Sequence, residues 1–149
     1  MKKLFTLQFY KYLLPVLLAG CLLFIFAEKT TYTPVSKSNP SHIVFIENSW
    51  SEALKQAKLQ NKYIFVDAYA SWCGPCKMLK AITFNNNKAA AFYNNNFINV
   101  SIDMEKGDGP ALAAQWQIQA YPTLIIFNPQ GVPVLGTVGF IKADDLIKF

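Results

Sequence analysis

The chain has 149 residues, 52% of them hydrophobic, with a formal net charge of +5 at pH 7. That length suits one domain with one proper core, and the apolar excess gathers at the N-terminus. Lys2, Lys3 and Lys11 precede or interrupt the first apolar run, 11 lysines face 9 acids from Glu28 onward, and there is no arginine; the basic, arginine-bearing stripe of a nucleic-acid surface is therefore not expected.

In chain order, residues 1–11 carry three lysines and no acid, and residues 12–27 carry no charge. Sixteen helical residues rise about 24 Å, short of a hydrocarbon core of roughly 30 Å unless flanking aromatics and lysines help. Residues 1–27 are read first as an uncleaved signal anchor. A cleaved signal peptide is a second reading, although no clean A-x-A site is present. The third is lipidation, because Leu18-Ala19-Gly20-Cys21 resembles the bacterial lipobox. Against it, the apolar run continues through Ala27, and Cys21 also suits a membrane helix as a small residue. Lysines before an apolar run favour a cytoplasmic N-terminus, so the rest of the chain is expected outside the membrane, in the periplasm or its equivalent. Residues 28–41 are polar with two prolines and read as a tether.

The domain is expected over 42–149. Ile43–Ile46 reads as an edge strand. Ser49-Trp50-Ser51-Glu52 has the form of a capping box, followed by Trp50, Ala53, Leu54 and Ala57 at helical spacing and an end near Asn61. Tyr63–Val66 is a continuous apolar strand suited to a sheet centre, leading through Asp67 to the cysteines. A helix should open near Gly74 and pass Leu79. Asparagine triplets at 85–87 and 94–96 bracket a short helix, since asparagine caps well. Phe97–Ile102 is the next strand, and Gly107-Asp108-Gly109-Pro110 a turn from which Pro110 opens the helix Ala111–Trp116. Thr123–Phe127 and Val132–Val138 read as a hairpin around Asn128-Pro129-Gln130-Gly131, and Lys142–Phe149 as a last helix. Strands alternating with helices in this way predict an α/β fold with helices on both faces of a central sheet.

Trp72-Cys73-Gly74-Pro75-Cys76 carries the chemistry. A C-x-x-C that opens a helix sets its first cysteine against unpaired N–H groups and the positive end of the dipole, which favours the thiolate. Thiolates are the nucleophiles of disulfide exchange. Cys73 is thus the expected attacker, and Cys76, one turn on, the resolver of the mixed disulfide. Trp72 should pack beside them.

Val66-Asp67-Ala68-Tyr69-Ala70-Ser71-Trp72-Cys73-Gly74-Pro75-Cys76-Lys77 resembles the active-site block of the thioredoxin family, and Tyr121-Pro122-Thr123 resembles that family's cis-proline loop. The resemblance spans about residues 42–149 and implies a thioredoxin-like fold with a mixed sheet. It implies that Asp67 is the buried carboxylate that relays a proton to or from the resolving cysteine, with the raised pKa that burial gives. It also implies that Trp72, Gly74, Pro75, Tyr121 and Pro122 form the surface that meets substrate. The Trp50 helix, Cys76-Lys77-Met78-Leu79, Asp103-Met104-Glu105-Lys106-Gly107 and Ala120-Tyr121-Pro122-Thr123 are similar to the group containing the periplasmic C-terminal domain of DsbD, although this chain lacks that protein's multi-span electron-carrying domain. Many thioredoxins place a lysine beside the buried aspartate; the matching strand position here is read as Asn99.

A C-x-x-C is also half a zinc site, but zinc takes about four ligands and only His42 and Cys21 remain to supply them; no metal and no cofactor are expected. Asp67 as a hydrogen-bonded buried acid without a proton role, and Pro122 as an ordinary turn proline, are the plainer alternatives. Tyr69, Phe84 and Tyr93 are read as packing residues and His42 as solvated. The expected function is thiol–disulfide exchange on protein disulfides, in the reducing direction because Gly-Pro between the cysteines resembles the reducing members of the family. The expected partners are disulfide-containing proteins and a membrane electron donor, with the domain acting as a monomer. An oxidase or isomerase, and a binding or chaperone module on the same fold, are the rivals.

Overall fold

A computed structural model of the chain describes residues 40–149. The expected anchor, Cys21 and nearly all of the expected tether lie outside the described residues. Among the described residues, no helix is long and apolar enough to cross a membrane. The elements run β1 (Ile46–Glu47), α1 (Trp50–Gln60), β2 (Tyr63–Tyr69), α2 (Gly74–Met78) with a π-helical continuation over Leu79–Thr83, α3 (Asn87–Asn96), β3 (Phe97–Asp103), α4 (Gly109–Gln115), β4 (Thr123–Phe127), β5 (Pro133–Val138) and α5 (Ala143–Leu146).

The five strands form one mixed sheet in the order β1-β3-β2-β4-β5. β1, β3 and β2 are parallel, while β4 runs antiparallel to β2, and β5 to β4. Side chains alternate across a strand, and β2 divides accordingly. Ile64, Val66 and Ala68 join a core cluster with Ala53 and Ala57 of α1 and Leu112 of α4. Phe65 joins a second cluster with Leu79, Phe84, Ala89, Ala90, Tyr93 and Leu146. Each face of the sheet is thus covered by helices, as the order of elements predicts. The second face is aromatic: the Phe65 ring centroid lies 4.4 Å from that of Tyr93 and 6.1 Å from that of Phe84. The Tyr93 hydroxyl donates to the Leu146 carbonyl at 2.8 Å, which ties α3 to α5 and satisfies an otherwise buried donor. Phe84 and Tyr93 are core residues and His42 is exposed.

Several local expectations change. The edge strand is shorter and later than Ile43–Ile46, because the earlier backbone is engaged elsewhere. The Ile43 N–H donates to the Phe84 carbonyl, and that of Val44 to Asn94 Oδ1. Ser49 stands at the N-cap of α1, but its side chain makes no capping bond. Glu52 accepts instead from Gln56 Nε2 at 3.0 Å, so the capping box is not formed. Asn86 does cap α3, accepting from the N–H groups of Lys88 and Ala89. The helix after the cysteines widens past Met78: the Phe84 N–H reaches back five residues to the Leu79 carbonyl at 3.0 Å. There Thr83 is buried and donates its hydroxyl to the Ile141 carbonyl.

Candidate active site

β2 carries the chain to the cysteines. Cys73 is the N-cap of α2 in extended backbone, and Pro75 occupies the first turn, where its missing N–H costs nothing. Cys73 and Cys76 are joined as a disulfide with their Cα atoms 5.3 Å apart. Both are buried, packed with Ala70 and against Tyr69 and Tyr121. The Cys76 N–H donates to Cys73 Sγ at 3.1 Å. That bond is the one a thiolate at Cys73 would strengthen, since a charged sulfur is the better acceptor.

Asp67 has the same parity on β2 as Phe65 and so lies on the face that carries α2. It is 6% exposed. Burial lifts its pKa from the usual carboxylate range to about 7, with a smaller downward pull from the Ser101 hydrogen bond. Ser101 Oγ donates to Asp67 Oδ2 at 2.9 Å, and Oδ1 has no partner. Asn99 is not the neighbour of this carboxyl. The parallel register sets Asn99 opposite Phe65 and Ser101 opposite Asp67, and the Asn99 amide is occupied by the Val44 carbonyl and Asn94 Oδ1. A cavity of about 250 Å³ beside the site is walled by Asp67, Ser71, Cys76, Lys77, Lys80 and Ser101 among others.

On the other side of the cysteines, the Tyr121–Pro122 peptide is cis. The Pro122 carbonyl accepts from the Gly139 N–H at 2.7 Å, and Thr123 Oγ1 donates to the Ala120 carbonyl, so the loop is pinned at both ends. Trp72 is 66% exposed and meets the Tyr121 ring edge-on at 6.1 Å between centroids. Its indole Nε1 donates to Glu105 Oε2 at 2.8 Å. Glu105 belongs to the turn after β3, which is itself anchored: the Met104 N–H donates to the Tyr69 carbonyl and the Glu105 N–H to Asp103 Oδ1. Gly109 packs so closely on the Asp103 and Met104 backbone that a Cβ there would collide with it. The structure therefore brings together Cys73, Cys76, Asp67, Trp72, Gly74, Pro75, Tyr121 and Pro122. Sequence reasoning gave no role to Ser101, Lys80 or Glu105. The first two depend on register and helical face, and Glu105 on a contact across 33 positions of sequence.

Residues 41–149 match the family model described as Thioredoxin. The chain belongs to the thioredoxin family. A thioredoxin-like protein of Synechocystis is 40% identical over 87 residues, covering 58% of this chain and 77% of that protein. The thioredoxin of Staphylococcus aureus is 33% identical over 92 residues, covering 62% and 83%. A solution structure of a proposed disulphide-isomerase from Bacteroides thetaiotaomicron superposes with a TM-score of 0.65 at 42% identity, covering 72% of this chain and 88% of that one. The protein is accordingly a thioredoxin-like thiol–disulfide oxidoreductase whose redox pair is Cys73–Cys76. Among the described residues, no group of three or more His, Cys, Asp or Glu side chains stands close enough to hold a metal ion.

Proposed function

We propose that this thioredoxin-family protein reduces protein disulfides outside the cytoplasmic membrane, held there by its N-terminal segment and recharged by a membrane electron donor. The observation that carries the reaction is the placement of Cys73 at the helix start, with Cys76 one turn later beside the buried Asp67. In the dithiol form the Cys73 thiolate attacks a substrate disulfide, and one substrate sulfur leaves as a thiolate that takes a proton from solvent. Asp67 as carboxylate accepts the Cys76 proton, and the new Cys76 thiolate attacks Cys73 Sγ. The Cys73–Cys76 bond forms as the mixed disulfide breaks, so two electrons pass to the substrate. Trp72, Gly74, Pro75, Tyr121 and Pro122 form the surface on which the substrate chain lies. The likeness to the DsbD C-terminal domain supports the electron-donor reading, and Lys2, Lys3 and Lys11 ahead of an uncharged run support the location.

The reduction potential of the full chain tests the direction. A value near −270 mV, that of thioredoxin, is expected; one near −120 mV, that of DsbA, makes the protein an oxidase. The likeness to the proposed disulphide-isomerase of Bacteroides favours isomerase activity as the second reading, and an intermediate potential with disulfide-shuffling activity would support it. For location, alkaline phosphatase fused after Phe149 is expected to be active; an inactive fusion at normal expression places the domain in the cytoplasm.

A further inference from the structure

The dithiol mechanism needs Asp67 as a carboxylate when the Cys76 proton leaves, yet burial favours the neutral acid. Its surroundings offer little to offset that. From β3 comes the neutral Ser101 hydroxyl. From β4 comes Leu124, opposite Asp67 in register. Glu47 of β1 adds a like charge, and Tyr69 is a neutral neighbour on β2. Among the described residues, cations come from the cysteine helix and its continuation, where Lys77 and Lys80 wall the cavity shared with Asp67 and Cys76. Lys80 follows Cys76 by four residues and so stacks on the same helical face, while Leu79 between them turns into the core. Of the two lysines, Lys80 is the one that lowers the pKa of Asp67.

We infer that Lys80 is a positioning residue for the proton relay: from the wall of the cavity beside Asp67 and Cys76, its ammonium biases Asp67 toward the carboxylate that accepts the Cys76 proton. This rests on the relay proposed above. The side chain touches no reacting atom and acts through Asp67 alone. Lys80 is exposed, and the cavity has room for several waters. The interaction is therefore screened and modest.

The test uses the full chain with Lys80→Met, Lys80→Arg and Lys77→Met. Carboxyl-carbon NMR follows Asp67 in the reduced protein, and stopped-flow follows the resolving step from about pH 5.5 to about pH 9. Lys80→Met should raise the midpoint by about half a unit and slow the resolving step about two-fold near pH 7, with the rates converging at high pH. Lys80→Arg should restore the wild-type midpoint, and Lys77→Met should move it less than Lys80→Met. An unmoved midpoint in Lys80→Met, an equal shift in Lys77→Met, or no rescue by arginine overturns the assignment. A wild-type resolving rate with no inflection at the Asp67 midpoint sinks the relay itself. An inflection present in the wild type and unmoved by Lys80→Met sinks only the role of Lys80.

Discussion

Two aspartates on neighbouring strands are both buried, and their acidities move in opposite directions. Asp67 lies within β2 and is raised to about 7, chiefly by loss of solvent. Asp103 ends β3 at 1% exposure, and burial acts on it too. It nevertheless stays below the usual carboxylate range, because the Lys106 ammonium stands 2.9 Å from Oδ2 and the Glu105 N–H donates to Oδ1. Asp67 has one neutral hydroxyl for the same purpose. Partners and depth of burial together separate a carboxylate that braces a turn from one able to exchange a proton near neutral pH. The bracing carboxylate in turn supports the active site, since its turn presents Glu105 to the Trp72 indole.

The largest effects come from the cysteines that the relaying carboxylate is proposed to serve. Cys73→Ser should abolish disulfide reduction and trap no partner. Cys76→Ser should accumulate mixed disulfides, visible on non-reducing gels and lost with dithiothreitol. Equal trapping by both variants overturns the assignment of Cys73 as attacker and Cys76 as resolver.

Asp67→Asn removes the titratable group and keeps its shape. In the wild type the folded state keeps a proton on Asp67 that the unfolded chain has released. Stability is therefore fullest below about pH 4 and declines as pH climbs to about 7, by about 4 kcal/mol for this group alone. The variant should fold, lack that decline and gain stability above pH 7 in urea titrations. Its resolving step should slow about 100-fold, with attack by Cys73 far less affected. Equal resolving rates for Asp and Asn across the neutral range leave Asp67 a structural residue.

Asp103→Asn carries the opposite sign. A depressed carboxylate contributes stability above the ordinary carboxylate range and loses it as pH falls through the folded value. The variant should be less stable near neutral pH by about 1–2 kcal/mol, and the difference should shrink in acid. Its resolving step should keep the wild-type pH profile. A shifted profile would show that the two carboxylates are coupled.

The chemistry of the site was legible in the chain because it is carried by short segments. Cys73-Gly74-Pro75-Cys76 at a helix start sets two sulfurs one turn apart whatever surrounds them. Thr123–Phe127 forms the strand that the sequence predicts, end to end, since an apolar run between a Tyr-Pro pair and an Asn-Pro turn leaves little freedom. Asn86 as a cap follows from a hydrogen bond to the next turn. Ser49 makes no side-chain cap, and the Glu52 carboxylate accepts from Gln56 in place of the backbone N–H that a capping box offers it.

The order of strands and helices, the two sulfurs and the proline loop follow from propensities and contacts that act over a few residues, and so can be read along the chain. What stands beside the carboxyl depends on packing between elements distant in sequence. Both Asn99 and Ser101 project to the Asp67 side of β3, and the β2–β3 register alone selects Ser101, 34 positions away in sequence. The same holds for Lys80 on the cavity wall and for Glu105 at the Trp72 indole. The proton affinity of a buried group is a sum over neighbours in space, and neighbours in space are set by packing rather than by the residues on either side.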